Sequence, residues 1–543
     1  MPSQTTADAE QPFFDVRKTL ARAEGARRAG DVTGAARDYG AVLARFPGNP
    51  RARKALAAIG PSAASALADK AQSCQAARQF DEAAEHWASA VALCPGHVGL
   101  GLSLCRCLSD MGRNHAALDA VNQVLRHNPA NALALDAKGC ILRDLGQMQA
   151  AQSCHREALK HGEHNAGPLN HLGILARANG DLDKAANFFR KAITLRPGTA
   201  SLHNNLAGCR TYRAGDAHIR QMQDQLARKR KTDPEQAPLH FALFKALDDT
   251  DERDAAFAHL LRGNQLRKAS SDFDITREAH RFAWYKSLCA DPPAPLPIAS
   301  ECNPRPVFVV GLPRSGTTLV ERILGQTPGA QTAGELSVVT NAISPLLRRL
   351  QTENRTAPTQ QDLQALRVRL IEGIQRHSDG SQILIDKMPL NFRWTGLICA
   401  ALPEARVVSL QRAPMPVAWS LFRHLFSSKG NGFAYDMADI TAYMMLHRDM
   451  MRFWSSRFDG QIVSLDYAAL VSNTDETLRT LVAACGLEWT DACLAPQTAN
   501  GPVLTASSSQ VRRKIYSGSD EDWRRYEVQL APLASALEAA GLA

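Results

Sequence analysis

The sequence predicts a multidomain chain, an all-α superhelical array of repeated helical pairs followed by an α/β domain with a mainly parallel sheet. Three observations carry that prediction. Gly112, Gly146 and Gly180 recur at a spacing of 34 residues, and one step back falls on Arg78. A proline-rich segment, 290–306, then interrupts the helical pattern. Directly after it the apolar run 307–310 passes through a glycine-containing loop into a helical stretch, the order of strand, turn and helix from which parallel sheets are built.

The repeats come first. Four or five residues after each periodic position an Ala-Ala pair begins, at 83–84, 116–117, 150–151 and 185–186. The helix that follows ends near Pro95, Pro129 and Pro197, with Glu163 in the vacant slot. An earlier unit, from Gly30 through Ala35 and Ala36 to Pro47, is offset by an insertion around GPSAASALADK. Glycine ends the first helix of each pair with positive φ. The small alanines let the second helix approach its neighbour, and proline closes the unit because it cannot continue the helix. The pattern resembles tetratricopeptide repeats, whose period is 34 residues. It is best seen in LGILARANGDLDKAANFFRKAITLRP and LGQMQAAQSCHREALKH. Such an array implies either a groove for a peptide or protein partner, or a rigid spacer and assembly surface.

The expected organisation is an N-terminal tail at 1–14, repeats at 15–215, a helical capping or adaptor region at 216–289, a linker at 290–306 and an α/β domain at 307–543. A length of 543 residues requires more than one domain. Hydrophobic residues at 45% and charged ones at 22% exclude whole-chain disorder. The net charge of +9 agrees with a polyanionic small-molecule ligand, and it fits nucleic acid equally, so charge alone does not choose. The first residues show neither a basic n-region nor an apolar run. Nowhere is there an apolar stretch of about 18 residues, so no membrane span is expected. The scattered cysteines, with Cys105 and Cys107 nearest each other, read as buried free thiols of a cytoplasmic protein. No metal site and no nucleic-acid partner are expected.

The chemistry begins at GLPRSGTT, 311–318. Strand, loop and helix N-terminus together make an anion site, because backbone N–H groups and the helix dipole converge there. An ordinary strand-to-helix turn needs less than this motif contains. Gly311 and Gly316 have the spacing of the G-x-x-x-x-G-K-[ST] nucleotide loop, but Thr317 stands where that loop has lysine, and Arg314 carries the charge instead. A kinase or NTPase would thereby lose the group that reaches its β/γ-phosphates. Asp386, in ILIDKMP, is the nearest candidate for a magnesium-holding acid.

PRSGTT after a strand resembles the 5′-phosphosulfate loop of PAPS-dependent sulfotransferases, where PAPS is 3′-phosphoadenosine-5′-phosphosulfate. Tyrosylprotein sulfotransferases, and bacterial proteins that join tetratricopeptide repeats to such a domain, are the nearest in kind. The resemblance spans about 303–540. It implies that Arg314, Ser315, Gly316, Thr317 and Thr318 hold the 5′-phosphosulfate. The family's 3′-phosphate motif, a strand ending in Arg with a Ser eight residues on, is matched by Arg412 and Ser420 in ARVVSLQRAPMPVAWSLFRHLF. A guanidinium fork with a neutral hydroxyl suits a dianionic phosphate. The Asp commonly following this Arg is Ala413 here. TASSSQVRRKIY resembles the loop that folds over the cofactor, with Ser507 and Ser508 at contacting positions, and Tyr467 matches a tyrosine lining the adenosine site. The lysine that tyrosylprotein enzymes place before the Trp of this segment is Asp522 here.

Sulfuryl transfer is an in-line displacement that needs a base for the acceptor and cations for developing charge. The resemblance implies Glu335, 21 residues beyond Arg314, as general base, and Lys387 as the lysine that stabilises the bridging oxygen together with Arg314. Read without it, Glu335 is an acid in the first turn of the next helix, and Lys387 a surface lysine at a strand end. His424 is the other candidate base. The expected activity is transfer of a sulfuryl group from PAPS to an acceptor hydroxyl, on a peptide tyrosine or a small molecule, without a metal. The rival readings are a P-loop kinase or NTPase and a repeat scaffold with a degenerate transferase domain.

Overall fold

The computed structural model describes residues 14–162, 164–228, 230, 232–290, 296–297, 303–427, 429–499, 503 and 520–542. The chain divides into two compact units, Met1–Glu163 and His164–Ala543.

The first unit is a run of antiparallel helices: α1 (Val16–Arg28), α2 (Val32–Arg45), α3 (Pro50–Ala76), α4 (Phe80–Leu93), α5 (Val98–Asp110), α6 (Asn114–His127), α7 (Ala132–Asp144) and α8 (Met148–His161). The 34-residue period is literal in its packing. Ala83, Ala117 and Ala151 each have no exposed surface, whereas Ala116 and Ala150 face solvent. At least one alanine of each pair is therefore enclosed, and at 83–84 both are. Gly112 and Gly146 have φ of +70° and +78°, and Arg78 takes the same slot at +62°. A side chain in that region costs energy that glycine avoids. The stretch read as an insertion is part of one continuous helix, α3, with Pro61 inside it. Cys105 and Cys107 are buried free thiols.

The second unit opens with the same construction: α9 (Ala166–Ala178), α10 (Leu182–Leu195), α11 (Ala200–Ala207) and α12 (Ala217–Ala227). Gly180 at φ +86° and fully buried Ala185 continue the period. Next come α13 (Ala237–Asp249), α14 (Arg253–Ala269) and α15 (Ile275–Leu288). The α/β part follows: β1 (Arg305–Gly311), α16 (Thr317–Leu324), β2 (Ala330–Thr332), α17 (Val338–Thr352), α18 (Gln360–Gln375), β3 (Ile383–Asp386), α19 (Thr395–Ala401), β4 (Arg406–Gln411), α20 (Pro414–Phe422), α21 (Met437–Arg457), β5 (Ile462–Asp466), α22 (Tyr467–Ser472), α23 (Thr474–Ala484) and α24 (Ala531–Ala539). Among the described residues no helix is long and apolar enough to cross a membrane.

Among the described residues the strands form one sheet in the order β2-β3-β1-β4-β5, and every pairing is parallel. Parallel strands are covered on both faces, which is why β1 reads as an unbroken apolar run. Val307, Phe308, Val309 and Val310 are each fully buried, and each contributes about 1.5–3 kcal/mol by leaving water. Their alternation splits them between two cores. Phe308 and Val310 join a core that reaches from Ala200 in α11 to Leu537 in α24, whereas Val307 and Val309 pack with α16 and α23. From β1 the chain turns toward β2, and from β4 toward β5. The carboxyl ends of β1 and β4 therefore flank the crevice where open parallel sheets bind ligands.

Candidate active site

Each candidate group leaves the end of a strand. The loop 312–316 follows β1, Lys387 follows β3, Arg412 follows β4 and Tyr467 follows β5. Sequence-distant residues meet because the strands are parallel and end together.

The loop is held from within. Ser315 donates its hydroxyl to the Leu312 carbonyl at 2.7 Å, and its backbone N–H reaches the same oxygen at 3.2 Å. Gly316 caps α16 at φ +112°, and a Cβ there would lie 2.9 Å from Cε2 of Tyr467. Only glycine fits both constraints. Thr317 and Thr318 are buried in the first turn of the helix, whose N-terminus follows directly on the loop. Arg314 is itself left-handed at φ +71°, strain of the kind found at ligand sites.

Arg314, Ser420 and Arg412 form one connected group. Arg314 Nε donates to Ser420 Oγ at 3.0 Å, and Arg412 Nη1 donates to the Arg314 carbonyl at 3.3 Å. The Arg412 guanidinium lies 4.1 Å above the Tyr467 ring, a cation–π contact. Burial pushes Arg314 down to about 10, and the charges of Arg423 and Arg412 add to this. It stays protonated at neutral pH, in a crevice already rich in positive charge. The residues following α20 complete the picture: Arg423 Nη2 donates to Asp522 Oδ2 at 3.4 Å, and Arg412 is engaged by Asp520.

Lys387 is no surface lysine. Its side chain is fully buried and its ammonium donates to Glu335 Oε1, whose own side chain is 45% exposed. One end of this pair is fixed and the other is open to an arriving acceptor. Glu335 lies outside the first turn of a helix, in the connection before α17. Two further carboxylates stand near this lysine. Burial raises Asp386 to about 8, with Glu321 adding to the shift, and burial also raises Glu321. The Lys387 ammonium opposes both shifts, and Arg322 opposes that of Glu321. Asp386 accepts from the Leu336 N–H at 3.4 Å.

His424 is held neutral. Burial first, then the charges of Arg314, Arg177 and Arg423, push it down to about 3. An imidazole that binds protons only there is a weak base at neutral pH.

Sequence reasoning placed Arg314, Ser315, Gly316, Thr317, Thr318, Glu335, Lys387, Arg412, Ser420 and Tyr467, and all lie at or beside these strand ends. Ser507 and Ser508 lie outside the described residues. It missed Glu321, Arg423, Arg177 and Asp520. A Glu and an Arg inside the apolar stretches LVERIL and SLFRHLF were the available signals for the first two. Nothing local marks Arg177 or Asp520.

Comparison with known proteins supplies the class. Residues 306–491 match the sulfotransferase family, and residues 137–200 match the tetratricopeptide repeat. The chain thus carries a sulfotransferase-family domain behind tetratricopeptide repeats. It is 33% identical over 341 residues to an uncharacterized protein of Aquifex aeolicus, covering 60% of this chain and 44% of that protein. The match therefore spans less than half of that relative's length. It is also 22% identical over 224 residues to a putative protein-tyrosine sulfotransferase of Caenorhabditis briggsae, covering 40% of this chain and 80% of that protein. Among solved structures, the crystal structure of MamA protein aligns with 39% of this chain and 96% of its own at 16% identity, with a TM-score of 0.24.

Proposed function

We propose that the protein transfers a sulfuryl group from PAPS to an acceptor hydroxyl. The observation that carries this reading is the Lys387–Glu335 pair, a buried cation holding a half-exposed carboxylate beside a phosphate-type loop whose charge is an arginine. Glu335 takes the acceptor proton. Lys387 and Arg314 offset the charge that develops between the acceptor and the leaving phosphate. PAPS supplies the sulfuryl group, whose bond to the 5′-phosphate breaks as its bond to the acceptor oxygen forms.

The donor set fits such a ligand. Arg412 already engages an anion, the Asp520 carboxylate, with the Tyr467 ring beneath it. Arg412 and Ser420 would hold the 3′-phosphate, Tyr467 would line the adenosine site, and the loop from Arg314 to Thr318 would hold the 5′-phosphosulfate. Ser507 and Ser508 join this set by resemblance. A kinase reading fares worse, since Thr317 replaces the loop lysine and Asp386 is fully enclosed under the Leu336 N–H.

A peptide tyrosine is the acceptor favoured by the name of the Caenorhabditis relative, with a small-molecule hydroxyl as the other class. The repeats offer a surface for a protein partner. Reduced, buried thiols fit a cytoplasmic setting. The test is thermal shift with PAPS, PAP, or ATP with magnesium, followed by labelled-sulfate transfer from PAPS into a lysate. PAPS and PAP should stabilise the protein and label should enter an acceptor. Stabilisation by ATP with magnesium alone would overturn the reading.

A further inference from the structure

We propose that Glu321 and Asp386 are positioning residues, holding the backbone on either side of Glu335 and so fixing the base against Lys387. The assignment rests on the sulfotransfer reading above.

The segment after β2 continues alongside β3. Ala333 N–H donates to the Ile385 carbonyl at 2.9 Å, and Lys387 N–H donates to the Gly334 carbonyl at 2.9 Å. Beyond that point the ladder ends and side chains take over. Gly334 N–H donates to Glu321 Oε1 at 2.9 Å, and Leu336 N–H donates to Asp386 Oδ1 at 3.4 Å. The residue before Glu335 and the residue after it are thus each gripped by a carboxylate from a different element. Glu321 sits on α16, the helix that also carries Thr317 and Thr318. Asp386 ends β3, immediately before Lys387. The anion loop, the cation and the base are therefore keyed to one another through two backbone amides.

Folding alone gives little reason for this arrangement. Glu321 is 6% exposed and Asp386 1%, and among the described residues Asp386 Oδ2 has no hydrogen-bond partner. Burying two acids beside a third carboxylate costs stability even with a lysine among them. A neutral acceptor such as Asn or Gln would satisfy each amide at lower cost. Acids placed here act on more than the amides, because each also faces the Lys387 ammonium.

The test uses the full chain carrying Glu321→Ala or Glu321→Gln. Losing the acceptor in Glu321→Ala should speed hydrogen exchange across residues 330–338 by about tenfold or more. Labelled-sulfate turnover from PAPS should fall by about 10²-fold, as for a base displaced by roughly 1 Å. The KM for PAPS and the calorimetric affinity for PAP should hold. Glu321→Gln, whose amide oxygen still accepts from Gly334 but carries no charge toward Lys387, should recover the protection and only part of the lost turnover. Unchanged exchange in Glu321→Ala would overturn the proposal. So would a loss of PAP binding and of protection throughout the unit in step with turnover, since that marks a general folding role. If wild-type protein transfers no sulfate while exchange still responds to Glu321→Ala, the sulfotransfer reading falls and the backbone clamp stands.

Discussion

The Asp520 carboxylate accepts from both Nε and Nη2 of Arg412, at 2.8 and 2.5 Å, through a single oxygen. Arg412 is the residue assigned to a 3′-phosphate, so an internal anion and the proposed ligand compete for one guanidinium. Removing the carboxylate charge with Asp520→Asn should tighten PAP binding, by at most about tenfold because Asp520 is partly exposed and screened. Calorimetry at fixed ionic strength reads this, and an unchanged affinity would remove Asp520 from the account.

The reciprocal substitution goes the other way. Arg412→Ala should weaken PAP by about 10–100-fold, the span of one or two hydrogen bonds to a charged group. In that background Asp520→Asn should have no further effect, because the pair acts as a unit. Additive effects in the double variant would count against a shared site.

Glu335→Gln keeps an oxygen for Lys387 and removes the proton acceptor. Turnover should drop by about 10²–10⁴-fold, the range typical of a lost general base. PAP affinity should stay near that of the wild type. Wild-type turnover in this variant would transfer the role of base elsewhere, and the low proton affinity of His424 makes it a poor heir.

Acid should destabilise the second unit through its buried imidazoles. His203 Nε2 bonds the Pro197 carbonyl at 2.8 Å, His203 Nδ1 meets His218 Nε2 at 2.9 Å, and His218 Nδ1 meets the Tyr212 hydroxyl at 2.8 Å. Two neutral rings satisfy this chain. A proton added to either ring puts a charge into a buried chain that neutral rings already satisfy. Burial pushes His218 and His240 down to about 4, against 6.5 when free. The unfolded chain therefore binds protons first. Stability is fully present above pH 6.5 and is lost as pH falls toward 4. Across that range the urea midpoint of the wild type should fall more steeply toward acid than that of His218→Gln, and parallel profiles would refute the neutral-pair assignment.

Asp386 gives the opposite slope. Its folded value near 8 exceeds the free value of 3.8, so the folded state holds the proton longer. Its contribution to stability declines as pH rises from about 4 to 8. Asp386→Asn cannot titrate, so its urea midpoint should gain on that of the wild type as pH rises over that interval. Parallel profiles would show that the carboxyl is ionised throughout.

What could be read from the sequence was whatever is local or periodic. The 34-residue step located Ala83, Ala117, Ala151 and Ala185, because an enclosed alanine at that position is a constraint that recurs. Arg78 showed through as a non-glycine in a glycine slot. The loop was legible because its strand, glycines and helix are contiguous. Lys387 was misjudged without the resemblance, since four residues of strand do not tell whether their end is buried. Asp520 and Arg177 stayed hidden for the same reason. Their partners Arg412 and His424 are distant in the chain, and no pattern within a short window encodes a meeting made by the sheet.

The backbone N–H of Val503, beyond the last strand, donates to the carbonyl of Ala178 at the end of α9, and the core that holds Phe308 begins in α11. A gene fragment trimmed to the sheet alone would leave that core open and lose Arg177 from the neighbourhood of His424. The smallest portion worth expressing by itself begins at His164, inside what the sequence periodicity still counts as repeats. The last repeats thus share one hydrophobic interior with the sheet and cannot be cut from it without exposing that interior.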